Sequence, residues 1–238
     1  MEDFLIRSAL LIGEDGINKL AKAHVAVAGI GGVGSYLAEA LARSGIGKLT
    51  LVDHDVIDKS NINRQIHALH STIGRKKVQV MTERLKDINP QLEIIGKEEF
   101  ITAENVAEIF NGEYDYLIDA VDNVTAKIAL VLLTQRRQIP FISSMGTANK
   151  LDNTKFCFCD ISQTSTCPLA RVMRRELRKR GIEKGVEVLY SQGESIKIAQ
   201  KGEEKISSPG SMSFVPSTAG LLLAGRVINE LLKAKING

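Results

Sequence analysis

Between positions 24 and 145, short apolar runs alternate with segments whose apolar residues recur every three to four positions. HVAVAG (24–29) is β-branched and ends in glycines, which predicts a buried strand. VGSYLAEALARSG (33–45) has helical spacing and a glycine stop, and KLTLVD (48–53) is a second strand. Together they make a βαβ unit, whose crossover is right-handed. The alternation continues with a helix over 75–89 stopped by Pro90, a strand over 92–97 and a helix over 103–110. A strand over 114–120, a helix over 124–138 and a strand over 140–145 complete it.

Beyond residue 146 the pattern changes. KFCFCDIS (155–162) alternates and reads as an antiparallel strand, because no long crossover precedes it. A helix over 168–180, a strand over 186–191, a Gly/Ser/Lys/Glu-rich loop over 193–213 and an amphipathic helix over 216–235 follow. The expected fold class is α/β: a Rossmann-like, doubly wound, mostly parallel sheet with a C-terminal antiparallel extension and a final helix. Residues 1–238 are read as one domain, with a nucleotide-binding core over 1–146 and an extension on the same sheet over 147–238.

Composition narrows the setting. No run of about eighteen uncharged apolar residues occurs, which predicts no membrane span. The start, MEDFLIRSALLIGEDG, has two acids before any base and is not read as a signal peptide. Three cysteines fit a reducing compartment, so a cytoplasmic location is expected. The net charge is only +3, but residues 171–184 hold seven Lys or Arg against two Glu. The remainder of the chain is therefore −2, and the positive excess sits in one short stretch.

The candidate chemistry begins at Gly29-Ile-Gly-Gly-Val-Gly34, a G-x-G-x-x-G between a strand and a helix. Gly29, Gly31, Gly32 and Gly34 permit a tight turn and close approach of a pyrophosphate to helix N-terminal N–H groups. Asp53, with Asp55 two residues on, ends the second strand where a carboxylate can accept from a ribose hydroxyl. The motif alone leaves NAD and ATP open. The residues that follow favour ATP: Asn61, Arg64, Gln65 and Lys77 can neutralise a triphosphate as pyrophosphate leaves. Asp122, in DAVDN at the carboxyl edge of the sheet, suits the Mg²⁺ that accompanies ATP, or equally a helix N-cap.

G-I-G-G-V-G-S, L-V-D-H-D, S-N-I-N-R-Q, I-G-R-K-K and D-A-V-D-N, in this order from about residue 7 to 146, resemble the ubiquitin-activating-like adenylyltransferase superfamily. The resemblance implies phosphate binding by the glycine loop, ribose by Asp53, triphosphate by Asn61, Arg64 and Lys77, and Mg²⁺ by Asp122. It also implies that Arg7, in IRSALLIG, is an arginine finger reaching the ATP site of the partner in a homodimer.

The activated carboxylate is a second question. Sulfur-carrier activators of this superfamily usually carry two C-x-x-C pairs. Here Cys157, Cys159 and Cys167 form none, so the spacing does not complete a tetrahedral zinc site. His67 and His70 are read as structural. NRQIHAL (63–69), CPLARVMRRELRKRG (167–181), LYS (189–191) and PSTAGLLLA (216–224) are instead similar to the tRNA threonylcarbamoyladenosine dehydratase branch. Arg171, Arg174, Arg175 and Arg178 recur at three- and four-residue spacing, a helical stripe suited to RNA phosphates. The resemblance implies ATP-dependent cyclisation of threonylcarbamoyladenosine in tRNA through an acyl-adenylate, with a sulfur-trafficking protein as a further partner. The rival readings are activation of a ubiquitin-like sulfur carrier, an NAD-dependent oxidoreductase, and a non-catalytic scaffold.

Overall fold

The strands His24–Ala28 (β1), Lys48–Val52 (β2), Glu93–Lys97 (β3), Tyr116–Asp119 (β4), Phe141–Ser144 (β5), Phe156–Asp160 (β6) and Glu187–Ser191 (β7) form one sheet. Their order is β3-β2-β1-β4-β5-β7-β6, parallel except for β6, which runs antiparallel to β7. The computed structural model describes residues 2–196 and 209–233. Seven helices accompany the strands among these residues: Ile6–Lys22 (α1), Gly34–Arg43 (α2), Lys77–Ile88 (α3), Val106–Ile109 (α4), Val124–Arg137 (α5), Pro168–Arg178 (α6) and Phe214–Lys233 (α7).

The central strands are apolar on both sides because helices cover both. Val25, Val27, Leu49, Leu51 and Ile118 pack with α2, α3 and α7, whereas Ala26, Ala28, Val52 and Leu117 pack with α4 and α5. A third cluster joins α5, α6 and β7 through Val131, Met173, Leu177 and Val188. The final helix does not stay with the extension. Ala219, Leu223, Ala224 and Val227 of α7 enter the same cluster as Leu37 and Leu41 of α2. Small residues make this approach possible: a Cβ on Gly220 would lie 2.4 Å from the Val33 carbonyl oxygen and 3.0 Å from the Leu37 nitrogen.

The strand and helix order agrees with the sequence reading, with three differences. The strand over 155–162 is antiparallel, but β7 separates it from β5 and places it at the sheet edge. The helix expected over 103–110 is only Val106–Ile109. Asn105 Oδ1 accepts from the Thr102 N–H at 2.8 Å, and Thr102 Oγ1 accepts from the Glu104 N–H at 3.3 Å, so side chains take up the groups a longer helix would use. Finally, α1 was not anticipated. Gly13, at φ +71°, kinks it, and Gly16 lies in its second half. Much of the loop expected over 193–213, namely 197–208, lies outside the described residues, as do 234 and 235 of the final helix.

Candidate active site

The carboxyl ends of β1 and β4 diverge at the point where the strand order reverses, and a cavity of about 450 Å³ opens there. Gly29 leaves β1 at φ +87° and donates its N–H to the Val52 carbonyl at 2.8 Å. A Cβ on Gly34 would sit 1.8 Å from the Gly29 carbonyl oxygen, so the turn closes only without one. Gly31 is different: a Cβ there would meet nothing closer than Gln65 Nε2 at 3.9 Å. The fold leaves that side of the loop open to the cavity. Among the described residues, the N–H groups of Gly31, Gly32 and Val33 find no acceptor. Three free backbone donors at the N-terminus of α2 make an anion site.

Asp53 ties this loop to β2: its Oδ2 accepts from the Ile30 N–H at 2.7 Å and its Oδ1 from the Asp55 N–H at 2.9 Å. Each oxygen keeps a lone pair for a ligand hydroxyl. Lys77, buried at the start of α3, places its ammonium 2.6 Å from Asp55 Oδ2. Asp55 thus stands in the cavity wall as the counter-ion of Lys77, with His54 Nε2 at 3.1 Å on its other oxygen. Asn61 is buried and accepts from the Asp58 N–H through Oδ1 at 3.1 Å. Arg64 Nη1 donates to the Ser60 carbonyl at 2.8 Å and Asn63 Oδ1 at 2.9 Å, which fixes the guanidinium at the cavity wall. Gln65 is buried beside Gly31, and its Oε1 has no partner among the described residues; a ligand hydroxyl or a bound water would satisfy it.

Asp122 follows β4 and lines the cavity, exposed and with no hydrogen-bond or ion-pair partner among the described residues. It is not the helix cap: Asn123 is, its Oδ1 accepting from the Ala126 N–H at 3.0 Å. Ten of the residues singled out from sequence line this one cavity: Gly29, Gly31, Gly32, Asp53, Asp55, Asn61, Arg64, Gln65, Lys77 and Asp122. Gly34 shapes the loop from behind. Arg7 lies elsewhere, exposed on α1. The sequence reading missed the apolar wall of Phe100 and Ile101, and the lip formed by Gly146, Thr147, Leu169 and Ser211.

His67 sits behind the site, 1% exposed, with neither ring nitrogen hydrogen-bonded among the described residues. Burial, reinforced by Lys77 and Arg84, pushes its pKa down to about 4. The unfolded chain therefore binds a proton between about pH 6.5 and 4 that the native chain refuses. Stability from this group is complete above pH 6.5 and falls as pH drops toward 4, by about 2 kcal/mol at pH 5. Urea unfolding at pH 7 and pH 5 should show that loss, and His67→Leu should remove it.

A second cleft, lined by Arg171, Arg174, Arg175, Arg178 and Lys179, runs along α6. Arg174 is committed to structure, donating to the Thr164 carbonyl at 2.8 Å and to its hydroxyl. Arg171 and Arg178 are exposed, and Arg175 pairs with Glu176 at 3.2 Å. The helix starts at the cavity, since Leu169 lines it, and carries the arginines away from the lip. Cys167 is buried at the start of this helix; Cys157 and Cys159 are half-buried on β6, where burial pushes the Cys159 thiol up to about 11. No described helix is long and apolar enough to cross a membrane.

A doubly wound sheet with an anion-binding glycine loop at its switch point, a paired lysine and a free carboxylate defines a nucleotide-binding class, and the chain belongs to the ThiF family, which matches residues 5–237. Within that class it is similar over nearly its full length to tRNA threonylcarbamoyladenosine dehydratases. That of Bacillus subtilis is 47% identical over 238 residues, spanning 95% of this chain and 94% of the relative. That of Haemophilus influenzae is 38% identical, spanning 93% and 90%. The crystal structure of the Escherichia coli enzyme TcdA in complex with ATP superimposes with a TM-score of 0.88 at 35% identity, covering 95% of this chain and 92% of that one. An adenylyltransferase and sulfurtransferase of Anopheles gambiae matches only 50% of this chain and 27% of its own length, at 37% identity. The family and branch resemblances read from the sequence are thereby borne out.

Proposed function

We propose that this chain is an ATP-dependent tRNA threonylcarbamoyladenosine dehydratase. The observation that carries the reading is similarity to dehydratases through the C-terminal third, where α6 links the nucleotide cavity to a row of arginines. The carrier-activating relative reaches only half of the chain.

The residues divide the work as follows. The free N–H groups of Gly31, Gly32 and Val33 receive ATP phosphate oxygens, and Asp53 accepts from the ribose. Arg64, Asn61, Gln65 and Lys77 surround the triphosphate. Asp122 fits Mg²⁺ because its carboxylate has no partner among the described residues and lines the cavity; one carboxylate plus substrate phosphates is a common way to bind that ion. When bound, Mg²⁺ neutralises charge on the triphosphate. A threonyl carboxylate oxygen attacks the α-phosphorus, and the bond to pyrophosphate breaks while Lys77 offsets the negative charge on the leaving group. The acyl-adenylate carbon is then attacked by the substrate's own ureido group, which loses its proton as AMP leaves. The nucleophile belongs to the substrate, so proximity replaces a protein nucleophile.

Arg7 supplies a finger to the site of a second copy, making the working form a homodimer; a sulfur-trafficking protein is a further partner. The enzyme acts in the cytoplasm, on tRNA held by the α6 arginines. Replacing Arg171, Arg175 and Arg178 with Gln should reduce the slope of log affinity for tRNA against log salt by roughly 2 to 3. The thermal midpoint should stay unchanged, because these side chains are exposed. A slope unaltered by all three substitutions places RNA elsewhere.

The deciding experiment follows ATP conversion to AMP and pyrophosphate with and without tRNA bearing threonylcarbamoyladenosine, then weighs the nucleosides by mass spectrometry. Tied AMP production and loss of one water from the modified nucleoside support the dehydratase. Pyrophosphate exchange without loss of water shifts the reading to a protein carrier. No ATP chemistry with either substrate rejects both.

A further inference from the structure

A lysine plays no part in the chemistry above yet lies beneath it. Lys127, one turn into α5, is 0% exposed, as is Asp119 at the end of β4. The Lys127 ammonium has three protons and meets three acceptors: Asp119 Oδ2 at 3.0 Å, Ser143 Oγ at 3.2 Å and the Ser144 carbonyl at 2.7 Å. Ser143 spends its own proton on Asp119 Oδ2 at 2.6 Å, and Asp119 Oδ1 accepts from the Val121 N–H at 3.1 Å. The cluster therefore ties together the end of β4, the first turn of α5 and the end of β5.

Each element it ties carries cavity wall. Ala120, Val121, Asp122 and Asn123 form the turn after β4, and Ser144 to Gly146 continue β5. The Val121 N–H that Asp119 holds belongs to the residue immediately before Asp122. From the other side, Gly29 packs so tightly that a Cβ on it would lie 2.9 Å from the Ala120 carbonyl and the Val121 nitrogen. The turn is pinned between the glycine loop and the buried pair. An ion pair of this kind is seldom worth more than a well-packed apolar replacement, so stability alone does not account for it.

We propose that Lys127, through Asp119 and Ser143, is a positioning residue that fixes the turn carrying Asp122 against the triphosphate. The inference rests on the ATP-binding role proposed for Asp122. It predicts coupling: the network matters only while the Asp122 carboxylate is present.

The test uses the full chain. Lys127→Met alone would leave Asp119 buried and uncompensated, so it is combined with Asp119→Asn, which keeps the core neutral. The paired variant should show a cooperative thermal transition, about tenfold weaker Mg·ATP binding by calorimetry and about a hundredfold slower pyrophosphate exchange. In an Asp122→Ala background the same pair should change either quantity less than about threefold. Ser143→Ala, a smaller change that retains the ion pair, should cost about fivefold, again only when Asp122 is present; it decides the matter if the paired variant does not fold. Full losses that recur without Asp122, or wild-type binding and exchange in a folded variant, overturn the proposal. A wild-type chain that binds Mg·ATP but leaves the tRNA unchanged rejects the proposed substrate alone, because the coupling is then read in ATP affinity. A wild-type chain that does not bind Mg·ATP overturns both.

Discussion

Lys77→Met should slow ATP–pyrophosphate exchange by about 10²- to 10³-fold while leaving the protein folded. The size follows from the role proposed for the ammonium. It is buried, held 2.6 Å from Asp55, and lies in the wall of the same cavity as the open N–H groups of the glycine loop. Charge moves onto pyrophosphate as the bond to the α-phosphorus breaks, so an ammonium fixed there interacts more strongly with the transition state than with bound ATP. The rate should therefore suffer more than ATP affinity. Folding should survive because Asp55 is 47% exposed and its freed Oδ2 regains hydration. Exchange of labelled pyrophosphate into ATP, beside ATP titration calorimetry and a thermal scan, separates these outcomes. A folded Lys77→Met variant exchanging at the wild-type rate would remove Lys77 from the chemistry.

What the sequence revealed of this site was local. The glycine loop, the acid at the end of β2 and the segment from Asn61 to Gln65 each carry their meaning within a few residues, so spacing brings them out. The ion pair between Asp55 and Lys77 spans 22 positions and depends on how α3 docks, which no local pattern records. The lip of Gly146, Thr147, Leu169 and Ser211 is harder still, because ordinary residues from three distant segments meet there. Asn63 Nδ2 donates to the Ser211 carbonyl at 3.0 Å across 148 positions, and nothing in either segment announces the other.

The fold shows the same division. Strands buried on both faces read as apolar runs, and their alternation with helices predicts the doubly wound, mostly parallel class. Helix α1 escaped because Gly13 and Gly16 lower its intrinsic propensity; packing against α7 supports it instead. Helix α4 was overestimated because Thr102 and Asn105 compete for its first turn. Lys127 leaves a signal in the sequence. It is the one charged residue in the run from Ala126 to Leu133, and a lone charge on a buried stripe implies a buried partner.

Two dead variants should restore activity to each other. Arg7 is exposed near the start of α1 and does not line its own chain's cavity. Beside it on the same face, at three- and four-residue spacing, Leu10 is 82% and Leu11 87% exposed, with Ile6 at 49%. An apolar face of this kind is suited to burial against a second copy, which would carry Arg7 with it. Arg7→Ala should then lower pyrophosphate exchange by about 10³-fold, the scale of a charge supplied in trans to a phosphoryl transition state. Lys77→Met should inactivate the same site from the other subunit. When the two variants are mixed and their subunits exchanged at random, half of the dimers are mixed, and in each of those one site has both an intact lysine and an intact arginine. Activity should return to roughly a quarter of wild type. An unrecovered mixture means that Arg7 serves its own chain, and full activity of Arg7→Ala alone means that it serves neither.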